Sequence, residues 1–342
     1  MTVALCALAF ILSLAGCVLV RRIAVRASLL DKPNERSLHT VPTPRLGGVA
    51  IVIAVAMVSV IQALRDQETA SLLGVGLAIA LVGLIDDLRP ISARIRLLLQ
   101  LAAASALLWV LGVPPLDLIS GITLDAPRWL TASVLVVWIV GVLNIYNFMD
   151  GMDGLAGTQA VGAAAGCAMV LGGDLRVFAA IVGAASAGFL VKNAPPARIF
   201  MGDSGSTFLG FMFAGLGVIG MRHHVSLATI ALSLSPFLLD GTFTLFRRAL
   251  RGEKVWHAHR THLYQRAVQT ELQHRDVLIV YGGWVVIAFV GVALSGVSPI
   301  ATLVGWGASI AGLIGIIVWV TRRESEQSRA TKPADLVVDR PS

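Results

Sequence analysis

Long apolar runs alternate with short polar ones along almost the whole chain. A bilayer crossing takes about 20 mostly apolar residues. On that basis the pattern predicts about eleven spans, near residues 2–20, 46–63, 70–85, 95–112, 129–146, 156–172, 175–192, 206–221, 226–246, 276–294 and 299–320. Several are short or interrupted by glycine, so ten crossings would also fit. The expected fold is an all-α, polytopic integral membrane protein with a single transmembrane domain over 1–320. The stretch 321–342 is polar and aperiodic and reads as a disordered tail. No internal repeat is evident, which disfavours an inverted-repeat transporter.

Composition agrees. Of 342 residues, 56% are hydrophobic and 14% charged, with a mean hydropathy of +0.80, whereas soluble domains carry about 25% charged residues. The first segment, Thr2 to Val20, lacks a basic leader and is followed by Arg21 and Arg22, so it reads as a retained helix. Cys6, Cys17 and Cys167 fall inside apolar runs and read as small core side chains rather than metal ligands or a disulfide framework. The net charge of +7 is explained by basic loops on one membrane face, and no nucleic-acid partner is expected. Loops 21–45, 86–96, 192–205 and 247–275 and the tail hold all of the 27 basic residues except Arg65, Arg128, Arg176 and Arg222. That bias places these loops and the C-terminus in the cytoplasm, and the N-terminus on the periplasmic side.

The polar clusters fall on that same face, as suits a membrane enzyme with a cytosolic substrate. A transporter would place polar groups near the midplane. Asp86 and Asp87 end the third span, ahead of Arg89, Arg94 and Arg96. Adjacent acids repel unless a cation or proton lies between them; alternatively they mark only an interfacial stop. The run Asn144–Gly157 carries Asn144, Asn147, Asp150 and Asp153 with three glycines. A charged group at a bilayer centre costs roughly 2.5–3.5 kcal/mol, so this run belongs at the boundary or in a wet cavity. Arg198–Ser206 holds Asp203 in a Gly/Ser-rich turn opening a span; it suits Mg²⁺ or phosphate binding, or simply a helix cap. His257, His259, Arg260 and His262 lie in the longest basic loop. No Cys or acid completes a zinc set locally, so anion binding or a plain solvated loop remains. Together these groups suit Mg²⁺-dependent phosphoryl transfer on a polyanion.

The motifs then match a family. Asp-Asp after the third span, Asn-x-x-Asn-x-x-Asp-Gly-x-Asp-Gly-Leu-Ala from Asn144, Phe-Met-Gly-Asp-x-Gly-Ser from Phe200 and the His-rich loop are similar to those of the polyprenyl-phosphate N-acetylhexosamine-1-phosphate transferases, glycosyltransferase family 4. Leu30–His39 with Pro44–Gly48 resembles the family's first cytoplasmic loop. The resemblance runs from about residue 20 to 270. It implies that Asn147 and Asp203 hold Mg²⁺, with Mn²⁺ as a substitute, and that Asp86 and Asp87 support the metal or deprotonate the lipid phosphate. Asp150 and Asp153 would line the nucleotide site, Phe200 would stack on uracil, and Asn144, Arg94, Arg96 and the histidine loop would contact substrate. The histidine pattern departs from the related phospho-MurNAc-pentapeptide translocases and looks most like the branch initiating O-antigen and other surface polysaccharides. The implied reaction takes a UDP-N-acetyl-hexosamine and undecaprenyl phosphate in a bacterial inner membrane and releases UMP, with a homodimer compatible with that role. A flippase for a polar lipid head group is the rival reading. A CDP-alcohol phosphotransferase is disfavoured, because Asp153-Gly-Leu-Ala lacks its spacing and arginine.

Overall fold

The computed structural model describes residues 1–33, 38, 39, 41–119, 122–254, 259–296 and 298–330. It is a helical bundle: α1 (Thr2–Arg26), α2 (Gly47–Ala63), α3 (Gln67–Leu88), α4 (Ala93–Leu111), α5 (Arg128–Met149), α6 (Leu155–Val170), α7 (Gly173–Asn193), α8 (Asp203–Arg222), α9 (Leu227–Ser233), α10 (Ser235–Leu250), α11 (Leu263–Gln269), α12 (His274–Ser295) and α13 (Pro299–Ala330). Two small antiparallel pairs interrupt it. β1 (Leu30–Asp31) joins β2 (Thr43–Pro44) in the first polar loop, and β3 (Leu116–Ile119) joins β4 (Ile122–Leu124) between α4 and α5.

Each expected apolar run is helical, but eleven crossings are not established. Among the described residues eight helices are long and apolar enough to span a bilayer, or nine if α9 and α10 form one span. Those two meet at an 88° bend, where Pro236 offers no N–H and its ring crowds the carbonyl four residues back. The remaining two apolar helices, α2 and α6, have 17 and 16 residues. At 1.5 Å per residue they reach about 25 Å, short of a hydrocarbon core of about 30 Å. Residues 321–330, expected to open an irregular tail, are helical instead, because α13 continues to Ala330. There Glu324 takes a paired contact from Arg266 of α11, at 2.8 and 2.6 Å.

The axis of the bundle is α8, wholly enclosed by its neighbours and packed chiefly on α3 and α5. Its first turn meets the first turn of α2 backbone to backbone: a Cβ on Gly48 would lie 2.3 Å from the Gly205 Cα. Small residues let membrane helices approach this closely. The ends of α3, α5 and α7 and the starts of α8 and α12 gather around one polar recess at one end of the bundle.

Gly48→Ala should therefore lower the thermal midpoint in detergent, at the cost of about 1–3 kcal/mol typical of overpacking. Gly74→Ala, in α3 with open space around it, should be neutral or stabilising by less than about 1 kcal/mol. Equal midpoints for the two variants would contradict the close contact.

Candidate active site

The recess is organised by helix ends. The free N–H groups at the start of α8 need acceptors, and Asp87, from the last turn of α3, supplies them. Its Oδ1 accepts from the Asp203 N–H at 2.9 Å and its Oδ2 from the Ser204 N–H at 3.0 Å. Successive helical residues point about 100° apart, so Asp86 faces elsewhere. Its Oδ1 accepts from the Ile91 N–H at 2.6 Å and its Oδ2 from Arg96. The same Arg96 nitrogen lies 3.3 Å from Asp203 Oδ2. The two adjacent acids are thus separated by their partners: one holds a helix start, the other an arginine.

The end of α5 supplies the amides. Asn147 Oδ1 accepts from the Ser206 hydroxyl at 2.6 Å, and Asn144 Nδ2 donates to Gln100 Oε1 at 2.7 Å. Phe200 is stitched to the first loop: its N–H donates to the Pro44 carbonyl and its carbonyl accepts from the Gly47 N–H, both at 2.8 Å. Its ring meets the His39 ring edge-on, with centroids 4.8 Å apart.

Six of the expected residues line one cavity of ≈ 330 Å³: Asp87, Asn147, Asp150, Asp153, Phe200 and Asp203. A narrow slot behind it, between α3, α4, α5 and α8, holds Asp86, Arg96, Gln100 and Asn144. Asn147 and Asp203 border both spaces. Arg94 is exposed and lines neither. Nor do His259, Arg260 and His262, while His257 lies outside the described residues. His262 is buried at the start of α11, its Nδ1 3.6 Å from Asp240 Oδ1. That fully buried carboxylate also accepts from the Leu263 N–H at 3.0 Å and from the Tyr281 hydroxyl at 2.6 Å. The described part of the histidine loop thus packs onto α10 and α12. What the loop delivers to the cavity is Gln265, joined there by Asp31, His39, Arg45, Asn193 and His274. Asp31, His39 and Arg45 sit in the first-loop motif, which gave no role to any one of them. Gln265 ends the His-Arg-Thr-His-Leu-Tyr-Gln form of the histidine loop, and His274 and Asn193 are single polar residues without a motif.

Burial and repulsion between carboxylates dominate the electrostatics of the cavity. Burial raises the Asp150 carboxyl well above the ordinary range, and the charges of Asp203 and Asp87 raise it further. Burial also works upward on Asp153, but hydrogen bonds from His274 and the Ala197 N–H hold it below the usual value. Three carboxylates, Asp87, Asp150 and Asp203, line one space. Among the described residues no three His, Cys, Asp or Glu side chains lie together closely enough to hold a metal ion by themselves. Asp203 and the Asn147 carbonyl, which border both spaces, are the oxygen donors that could contribute to holding a hard divalent ion.

The bundle and its carboxylate-rich recess define a polytopic membrane protein with a polar site at one end. Residues 69–221 match the family described as Glycosyl transferase family 4. A probable undecaprenyl-phosphate N-acetylglucosaminyl 1-phosphate transferase of Bacillus subtilis (strain 168) is 33% identical over 283 residues, covering 77% of this chain and 76% of the relative. A decaprenyl-phosphate N-acetylglucosaminephosphotransferase of Mycobacterium tuberculosis (strain H37Rv) is 32% identical over 319 residues, 81% of this chain and 78% of the relative. An undecaprenyl-phosphate alpha-N-acetylglucosaminyl 1-phosphate transferase of Yersinia pestis is 24% identical over 290 residues, 79% and 78% of the two chains. The chain belongs to glycosyl transferase family 4. These relatives lend no support to the flippase reading.

A carboxyl whose pKa is raised by folding favours the fold while protonated; that contribution is complete below about pH 4 and is lost as pH rises through the folded value. With metal chelated, heat stability of the wild type should fall from about pH 4 towards neutrality more steeply than that of Asp150→Asn. Parallel pH profiles would show that Asp150 is not the strained acid.

Proposed function

We propose that this protein transfers a sugar-1-phosphate from a UDP-N-acetyl-hexosamine, UDP-GlcNAc or a derived amino sugar, to undecaprenyl phosphate, releasing UMP. The observation carrying this reading is that a polar cavity and an interhelical slot meet at Asn147 and Asp203. A nucleotide entering from water and a phosphate carried on a lipid would meet there. The names of the relatives above supply the polyprenyl-phosphate acceptor and the N-acetylglucosaminyl 1-phosphate group, and the UDP donor follows from the family resemblance.

In this scheme an oxygen of the lipid phosphate attacks the β-phosphorus of the donor, and the bond from that phosphorus to the bridging oxygen breaks, leaving with UMP. The sugar C1–O bond is untouched, so the anomeric configuration is kept. One diphosphate ester replaces another, so the reaction should run readily in both directions. Mg²⁺, or Mn²⁺ in its place, would be held by Asn147 and Asp203 and would neutralise charge on the diphosphate. Arg96, aimed by Asp86, and Arg45, beside Asp31 at 3.4 Å, offer forked donors for phosphate oxygens. Asp87 acts on this chemistry by fixing the start of α8, and with it the Asp203 carboxylate. The setting is the bacterial inner membrane with the recess facing the cytoplasm, and the lipid-linked product would begin a surface polysaccharide such as O-antigen.

Purified protein given undecaprenyl phosphate, UDP-GlcNAc and Mg²⁺ should release UMP. Asp203→Asn should cut that release at least about 100-fold, a typical loss for a group stabilising transition-state charge, while still inserting in the membrane. Near-normal activity of this variant would falsify the metal assignment. A fluorescent protein fused after Ser342 should be bright and a phosphatase fused there inactive, since Arg322 and Arg323 mark the cytoplasmic side. The opposite result would place the recess on the wrong face for a nucleotide donor.

A further inference from the structure

Both oxygens of Asp153 are already engaged. Oδ2 accepts from the Ala197 N–H at 2.9 Å, and Oδ1 lies 3.2 Å from Nδ1 of His274, the first residue of α12. An ionised carboxylate only accepts hydrogen bonds. A neutral His274 must therefore carry its proton on Nδ1, which leaves a lone pair on Nε2. Among the described residues Nε2 has no protein partner. His274 lines the main cavity and an adjoining open groove of ≈ 740 Å³, and Phe200 lines the same two spaces. A flat apolar ring and a single fixed acceptor at one site suit a planar base, which stacks on the ring and offers an N–H at its edge.

We propose that His274, with its tautomer set by Asp153, reads the nucleobase of the donor and selects a pyrimidine bearing an imide N–H over one with a ring acceptor at that position. Uracil has that N–H and cytosine does not. The inference rests on the UDP-sugar reading above and adds to it the group that enforces the uridine nucleotide. Asp153 is then a positioning residue and His274 the contact. A site built around one hydrogen bond rejects a ligand that cannot make it far better than an apolar pocket would.

The test is calorimetric titration of the full-length protein in detergent and Mg²⁺ with UMP and, separately, CMP. Wild type should bind UMP more tightly. His274→Ala should weaken UMP about tenfold, the loss of one hydrogen bond, and leave CMP nearly unchanged. His274→Gln, whose amide oxygen can still accept, should keep part of the preference. Asp153→Asn carries the sharper expectation. The carboxamide oxygen must stay on the Ala197 N–H, which turns its NH₂ towards Nδ1 and moves the imidazole proton to Nε2. That donor now suits cytosine, so UMP should weaken and CMP tighten. If His274→Ala keeps the wild-type UMP-to-CMP ratio, or Asp153→Asn weakens both nucleotides equally, the inference is overturned and His274 is only a helix-start residue. Should His274→Ala fail to elute as a monodisperse species, the Asp153→Asn arm decides alone. Wild type that binds neither nucleotide would instead sink the UDP-sugar reading itself.

Discussion

The clamp of Asp87 on the first turn of α8 is the interaction on which the rest of the recess depends. It sets a carboxylate against the positive end of a helix and satisfies two backbone N–H groups with one side chain. Hydrogen bonds to a charged group contribute about 1.5–3 kcal/mol each, so the clamp ranks among the stronger local contacts. It is also geometrically exclusive. Gly202, at φ +77°, passes so near the carboxylate that a Cβ there would sit 2.8 Å from both Asp87 oxygens. The Phe200–Asp203 turn is thereby held at one end by α3 and at the other by Pro44 and Gly47. A turn fixed at both ends can present an aromatic ring and a carboxylate to one space.

Around that clamp the polar groups divide their work. Arg96 sits between Asp86 and Asp203, so one guanidinium balances part of the acid charge from the slot side. On the opposite wall the buried Asp240 gathers the start of α11 and the Tyr281 hydroxyl of α12. That places Tyr264 against the end of α5, where its hydroxyl donates to the Phe148 carbonyl at 3.3 Å. The loop that carries the histidines is in this way coupled to the Asn147–Asp153 run through backbone contacts.

Much of this was legible in the sequence because polar residues in an apolar chain must leave the core at helix ends. Asp86, Asp87, Asn147, Asp150 and Asp203 each sit at such an end, and linear motifs sufficed to bring them together. The number of crossings was not legible, since hydropathy alone says little about helices as short as α2 and α6 or about the bend at Pro236. His274 escaped because its role depends on Asp153, more than a hundred residues earlier in the chain. The reading of His259, Arg260 and His262 as substrate contacts left out Asp240, which seats His262 and the start of α11. A lone acid inside the apolar run 226–246 was itself the available signal, because an intramembrane carboxylate needs a partner.

The enclosure of α8 has a consequence for biogenesis. It is the least apolar of the eight candidate spans, carries five glycines and has no lipid-facing surface. Insertion into a bilayer from the translocon rewards apolar side chains one residue at a time, and α8 has fewer of them to offer than any other span. Its stable partner is the seat already formed by α2, α3 and α5, all made earlier on the ribosome. The helix that carries Asp203 would therefore enter the membrane as a passenger of its predecessors, which ties completion of the site to completion of the bundle.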